Sequence, residues 1–195
     1  MELITAYIHV VGAAPMMHRN VRLLDPLNPF TRRLSEITSK KKKTEADLIE
    51  LRWREFEGSI YADEKGPYVP SEWIESVIRD GAKVNKKGKD VTAALLCEED
   101  RFHLEGIPKA KSVRELYDLG CSDYRPVVVN NRKVMRSRPR FNEWELHFSV
   151  TFNNAVLNAD AVEEAIRNGG LLKGLGDYRP KYGRFTVKSF TVRKA

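Results

Sequence analysis

Residues 1–12 alternate apolar and polar side chains and are rich in Ile, Val and Tyr, the period-2 pattern of a half-buried strand. Residues 13–43 break that pattern. Pro15, Pro26 and Pro29 interrupt a segment without sustained periodicity, so a long loop is expected, of a length that is usually functional or disordered. Thr44-Glu45-Ala46-Asp47 then reads as a capping box, and Leu48, Ile49, Leu51, Trp53 and Phe56 recur at helical spacing up to Gly58. A short strand is expected over 59–62. Residues 70–83 predict a second helix, with Pro70 at its start, Trp73, Ile74, Val77 and Ile78 on one face, and Gly81 near its end. Residues 86–89 read as a basic turn, 92–97 and 102–104 as strands, and 112–119 as a brief helix.

Apolar residues at 127–129 and 134–135 flank Asn130-Asn131, a hairpin signal. Trp144, Leu146, Phe148, Val150 and Phe152 alternate strictly with polar residues and make the clearest strand in the chain. Residues 160–168 predict a helix stopped by Gly169-Gly170, and 184–192 alternate again, with Phe185 and Val187 on one side. The order strand, helix, strands, strand, helix, strand is the β-α-β-β-α-β skeleton of an α+β, ferredoxin-like (RRM-like) domain with an antiparallel sheet and long insertions. One domain is expected over 1–195, with residues 13–58 an inserted basic loop plus helix.

Composition removes several classes. A chain of 195 residues that is 42% hydrophobic is too apolar for wholesale disorder and long enough to bury a core without staples. No apolar run is long enough to cross a bilayer, and neither a secretory n-region nor a lipidation motif is present, so no membrane partner is expected. Cys97 and Cys121 make neither a disulfide framework nor a cysteine zinc cluster. They read as small core residues of a cytoplasmic protein.

The net charge of +7 is unevenly placed. Residues 1–124 carry 20 basic and 21 acidic side chains, and residues 125–195 carry 14 and 6. Arg125, Arg132, Lys133, Arg136, Arg138 and Arg140 precede Asn142 without an acid among them, and residues 173–194 hold seven bases against Asp177. A third cluster, 19–43, sets eight bases against Asp25 and Glu36. Segregated charge makes a field that attracts polyanions.

Gly169-Gly170 and the run Gly174-Leu175-Gly176-Asp177-Tyr178-Arg179-Pro180-Lys181-Tyr182-Gly183-Arg184-Phe185 form the most distinctive segment. Glycine-rich backbone approaches anions closely. The order here is helix, glycine loop, strand, the reverse of a dinucleotide fingerprint, and the spacing fits no Walker pattern, so no nucleotide cofactor is expected. Backbone donors interleaved with Tyr178, Arg179, Lys181, Tyr182 and Arg184 combine cations for phosphates with flat rings for bases, the two components of single-strand binding.

On these residues the chain resembles the RAMP superfamily (repeat-associated mysterious proteins), the RNA-binding subunits of CRISPR effector complexes, whose glycine loop likewise lies between the last helix and the last strand. Residues 66–79 are similar to the family's opening of the first helix. Pro70, Ile74, Val77, Ile78 and Arg79 fit, whereas Ser71 stands for a Gly, Trp73 for a Ser and Glu75 for a Lys. The resemblance implies a ferredoxin-like domain, an RNA partner, and several copies aligned along one strand or within a larger nucleoprotein complex. Residues 174–185 also resemble phage-encoded proteins, which implies a viral setting and a host cytoplasm.

The expected function is therefore non-catalytic binding of single-stranded RNA, or single-stranded DNA. Arg19, Arg22, Arg132, Lys133, Arg136, Arg138, Arg140, Gly174, Gly176, Tyr178, Arg179, Lys181, Tyr182, Gly183 and Arg184 are the candidate ligand face. Two alternatives stand beside it. One is an endoribonuclease that uses His18 as general acid or base beside Arg19, or Asp25, which the resemblance matches to the target-cleaving Asp of some backbone subunits. The other is a viral protein-binding module that mimics a CRISPR subunit. His9, His18, His103 and His147 share no metal-ligand spacing, so no metal is expected.

Overall fold

The first alternating stretch forms strand β1 (Leu3–Gly12) in a computed structural model that describes residues 2–129 and 131–194. There follow β2 (Met16–Met17), α1 (Pro29–Thr38), α2 (Glu45–Ser59), β3 (Ala62–Asp63), β4 (Gly66–Pro70) and α3 (Ser71–Ala82). Then come α4 (Gly88–Ala94), β5 (Leu95–Leu96), β6 (Arg101–Glu105), α5 (Val113–Asp118), β7 (Ser122–Val129) and β8 (Arg132–Phe141). The chain ends with β9 (Glu145–Asn153), α6 (Ala159–Leu172) and β10 (Phe185–Lys194). It divides into two compact units. The first is Met1–Met16, Pro67–Ile107 and Asn142–Ala195, and the second is Met17–Gly66 and Pro108–Phe141.

The first unit is α+β with a curled antiparallel sheet, a half-barrel. Its strands run β10-β1-β9-β6-β4, with β5 paired to β9. Register sets Ala6 opposite Val150 and His9 opposite His147, and a bulge between His9 and Val10 shifts the pairing with β10. Alternation then does what the sequence pattern promised. Ala6, Ile8 and Val10 of β1 and Leu146, Phe148, Val150 and Phe152 of β9 are buried, together with Ile74, Val77 and Ile78 of α3 and Val162, Ala165 and Ile166 of α6.

Glycine decides how those helices meet. A Cβ on Gly81 would lie 2.0 Å from the Ala165 carbonyl oxygen, and one on Gly169 2.5 Å from that of Val77, so α3 and α6 cross backbone to backbone. Gly169-Gly170 accordingly does not stop the helix, as its sequence suggests. α6 runs through both to Leu172, and the chain turns at Gly174, whose φ is +76°. The two glycines serve packing, with Gly170 against the Phe185 ring. The expected strand over 92–97 is helix in its first half. Val91 is buried in α4, the Thr92 hydroxyl donates to the Gly88 carbonyl (3.0 Å), and strand begins only at Leu95.

The second unit holds residues 17–43 of the expected loop, and much of that segment is helical. α1 begins at an Asn28 cap that accepts from Phe30 N–H, with Pro29 in the first turn, and Ile37 is its buried residue. The lysine run ends this helix: Lys43 Nζ donates to the Thr38 (3.0 Å) and Lys40 (2.9 Å) carbonyls. α2 starts at the expected capping box of Thr44 and Asp47, and a hydrogen bond from Lys40 (2.6 Å) lowers the Asp47 carboxyl to a pKa of about 2. Trp53, Phe56 and Tyr117 form its aromatic centre, with ring centroids 5.1–6.1 Å apart. β7 and β8 pair as the expected hairpin. Asn131 has the positive φ that its turn requires, and Asn130 lies outside the described residues.

Gly→Ala within a helix ordinarily stabilises by up to about 1 kcal/mol. At Gly169 the sign reverses: Gly169→Ala is expected to cost about 1–3 kcal/mol through overpacking against Val77, read as a lower urea midpoint at unchanged m.

Candidate nucleic-acid interface

The glycine loop leaves α6 at Lys173 and folds back on itself before β10. Its legs are joined by Leu175 N–H to the Gly183 carbonyl (2.8 Å) and fastened to the end of β1 by Gly183 N–H to the Pro15 carbonyl (2.8 Å). Ala13 and Ala14 N–H both donate to the Arg184 carbonyl. A Cβ on Gly183 would lie 1.7 Å from the Leu175 oxygen, which makes glycine obligatory there. The expected phosphate cradle therefore does not form at Gly174 and Gly183. Both are buried, and their N–H groups are given to the Gly169 and Pro15 carbonyls. Their glycine character is consumed by the loop's own crossing.

Tyr182 is likewise a packing residue, only 7% exposed, with its ring edge-on to Tyr178 at 5.9 Å. What the loop does present is Tyr178, 42% exposed, with Arg179, Lys181 and Arg184, all on the surface. Arg184 Nε donates to the Pro180 carbonyl (2.8 Å), which arches the side chain back over the loop. Lys173, Gly176, Tyr178 and Arg179 line a depression of about 540 Å³ together with Asp80 and Asp177.

Most of the other expected cations are structural, and all of them lie in the second unit. The Arg22 guanidinium donates to the Glu57 (2.6 Å), Gly58 (2.9 Å) and Ile60 (3.1 Å) carbonyls and so closes the C-terminus of α2. Its other face lies 3.8 Å from the Phe30 centroid. Arg136 pairs with the buried Glu55 carboxylate, which also accepts Ser137 N–H (2.8 Å). Arg138 is buried, and Arg140 reaches the buried Asp123 at 3.4 Å beside Arg125. Arg19 is half-buried, and only Arg132 and Lys133, at the hairpin tip, stand out in solvent. A basic run reads as a polyanion track in sequence, but a buried carboxylate turns part of it inward.

His18 is 0% exposed. Its Nδ1 accepts Tyr61 N–H (3.3 Å), the Phe141 ring lies edge-on at 5.2 Å, and burial pushes its pKa down to about 3. It is a neutral core histidine, removed from any surface on which a substrate could lie. Asp25 is exposed and accepts Leu27 N–H in a turn. Cys97, half-buried, has its thiol raised to about 12 by burial, and Cys121 is buried, so neither carries a ready thiolate. Among the described residues no group of three or more His, Cys, Asp and Glu is placed to hold a metal ion.

The polar half of the alternating strands carries a second group of rings, of which His9 and His147 are strand-face residues in sequence as well. His9 and His147, opposite each other in register, stack with centroids 4.1 Å apart and planes 11° from parallel. His9 Nε2 meets the Glu145 carboxylate at 2.7 Å. Tyr7, on the same strand face, is 47% exposed, and His103 touches Tyr68 edge-on across β6 and β4. The available signal was the period of 2 itself: if Ile8 and Phe148 face the core, then Tyr7, His9 and His147 face away. No family model matches the chain, and no curated protein matches it. No helix among the described residues is long and apolar enough to cross a membrane.

In the unfolded chain the His18 imidazole takes up a proton near pH 6.5, which the folded protein refuses until about pH 3. Its contribution to stability is therefore full above that upper value and declines as pH falls, by up to about 1.4 kcal/mol per unit. His18→Gln, which keeps an acceptor but does not titrate, is expected to flatten the dependence of urea-unfolding free energy on pH between about 7 and 5.

Proposed function

We propose that the protein binds single-stranded nucleic acid, RNA foremost, without cutting it, as a RAMP-like protein of the cytoplasm that places several copies along one strand. The observation that carries this reading is the exposed group Tyr178, Arg179, Lys181 and Arg184 on a loop held by its own hydrogen bonds to the end of β1. A backbone already committed to internal bonds does not have to be ordered when ligand arrives, so little of the interaction is spent on closing the loop. Three cations meet phosphates and one exposed ring meets a base. The ferredoxin-like reading of the first unit draws support from its topology. In chain order β1, α3, β6, β9, α6 and β10 run β-α-β-β-α-β, and across the sheet the strands lie β10-β1-β9-β6. The burial of His18 favours binding over cleavage, and both cysteines are free thiols, which suits a reducing compartment.

Titration of a fluorescent single-stranded RNA tests the reading. Three phosphate contacts predict an affinity that drops about 20-fold between roughly 50 and 200 mM salt. The combined change Arg179→Ala, Lys181→Ala and Arg184→Ala is expected to weaken binding alike for every sequence and to flatten that slope. The RNA should stay intact over hours, with or without chelator. Absence of binding at low salt, or binding indifferent to salt, overturns the proposal.

A further inference from the structure

The sheet of the first unit has a solvent-facing side, opposite the side that buries Ala6, Ile8, Phe148 and Val150. Rings concentrate there. Tyr7 and His9 come from β1, His147 from β9, His103 from β6 and Tyr68 from β4. A solvated sheet face is ordinarily built from small polar and charged residues. This one instead carries a parallel histidine stack, an edge-on Tyr68–His103 pair at 6.0 Å, and Tyr7 47% exposed beneath the Arg193 guanidinium at 5.4 Å. Tyr7, His9, His103 and His147 border a depression of about 360 Å³, within the range of roughly 300–1,000 Å³ typical of small-molecule sites.

Charge separates this face from the glycine loop. Glu99, Glu105 and Arg101 line the depression, and Glu145 pairs with His9, itself a lining residue. Carboxylates repel phosphates but accept hydrogen bonds from amino and imino groups, which nucleobases carry on their edges. The cations Arg101, in the lining of the depression, and Arg193, over the Tyr7 ring, come from β6 and β10, one on each side of the β1–β9 pair that carries the histidine stack. Flat rings, acceptors beside them and a cation on either flank fit bases laid on the sheet with their phosphates turned toward the cations.

The loop is also tied to the strand that carries Tyr7 and His9. The loop is fastened to Ala13, Ala14 and Pro15, and His9 lies three residues before Gly12, about 10 Å along the strand. We infer that this face is a base-stacking platform, on which the bases of the strand held at the glycine loop lie against Tyr7 and the His9–His147 stack, with their amino edges toward Glu145 and Glu105. The inference rests on the single-strand reading above and adds where the bases go.

The test compares a fluorescent single-stranded RNA with a base-free strand of the same length and charge. Wild-type protein is expected to bind the RNA at least about tenfold more tightly than the base-free strand. The pair Tyr7→Ala and His147→Ala should remove most of that advantage, about tenfold on RNA, and leave affinity for the base-free strand unchanged. Tyr7→Phe, which keeps a ring, should retain most of it. The loop variant behaves differently, losing affinity for both strands together. If the platform variant binds RNA like wild type, or loses both strands equally, the inference is wrong and the loop reading survives. If wild-type protein binds neither strand, both fail.

Discussion

The crossing of α3 and α6 at Gly81 and Gly169 is the constraint on which the first unit depends. A side chain at either position would meet a carbonyl oxygen well inside contact distance, so the two helices can lie close only because neither carries one there. That closeness lets both helices bury their apolar stripes with the same side of one sheet, the side of Ala6, Ile8 and Val10. The other side is left to solvent, and the residues that face it are the polar half of each alternating strand. Gly170 extends the effect. By admitting the Phe185 ring it fixes where β10 begins, and hence where the loop between α6 and β10 must turn.

A second constraint concerns where positive charge can go. The +7 surplus looks like one long cationic surface when counted along the chain. In the folded second unit much of it satisfies internal needs. Arg22 answers the unpaired carbonyls at the end of α2, Arg136 answers the buried Glu55, and Arg140 with Arg125 answers the buried Asp123. A guanidinium that closes a helix or neutralises a buried acid is held in place by the cost of leaving that group alone. A cation three positions away, Lys133 beside Arg136, remains in solvent. In the first unit the loop residues Arg179, Lys181 and Arg184 keep their exposure.

Elements with a strong period or a side-chain cap were legible. The alternation of β1, β9 and β10, the capping box of α2, the amphipathic face of α3 and the β7–β8 hairpin all rest on local rules that operate within a few residues. α1 was not legible, since Asn28 and Pro29 look like loop punctuation until the helix they cap is seen to follow. The glycines misled in the same way twice. Gly169-Gly170 reads as a stop and is a packing surface, while Gly174 and Gly183 read as an anion cradle and are a crossing. In each case the sequence states that a side chain is absent, and only the neighbour across the gap says why.

By itself, the sequence determined which strands alternate, which helices are capped, and that an exposed cationic, tyrosine-bearing loop lies between the last helix and the last strand. Those follow from interactions between residues near one another in the chain. Tertiary structure alone decided which arginines turn inward and that His18 is a neutral core residue. It also decided that Tyr7, His9, Tyr68, His103 and His147, scattered over 140 positions, share one face of a sheet. Strand order and register bring distant segments together, and neither is written in any local period.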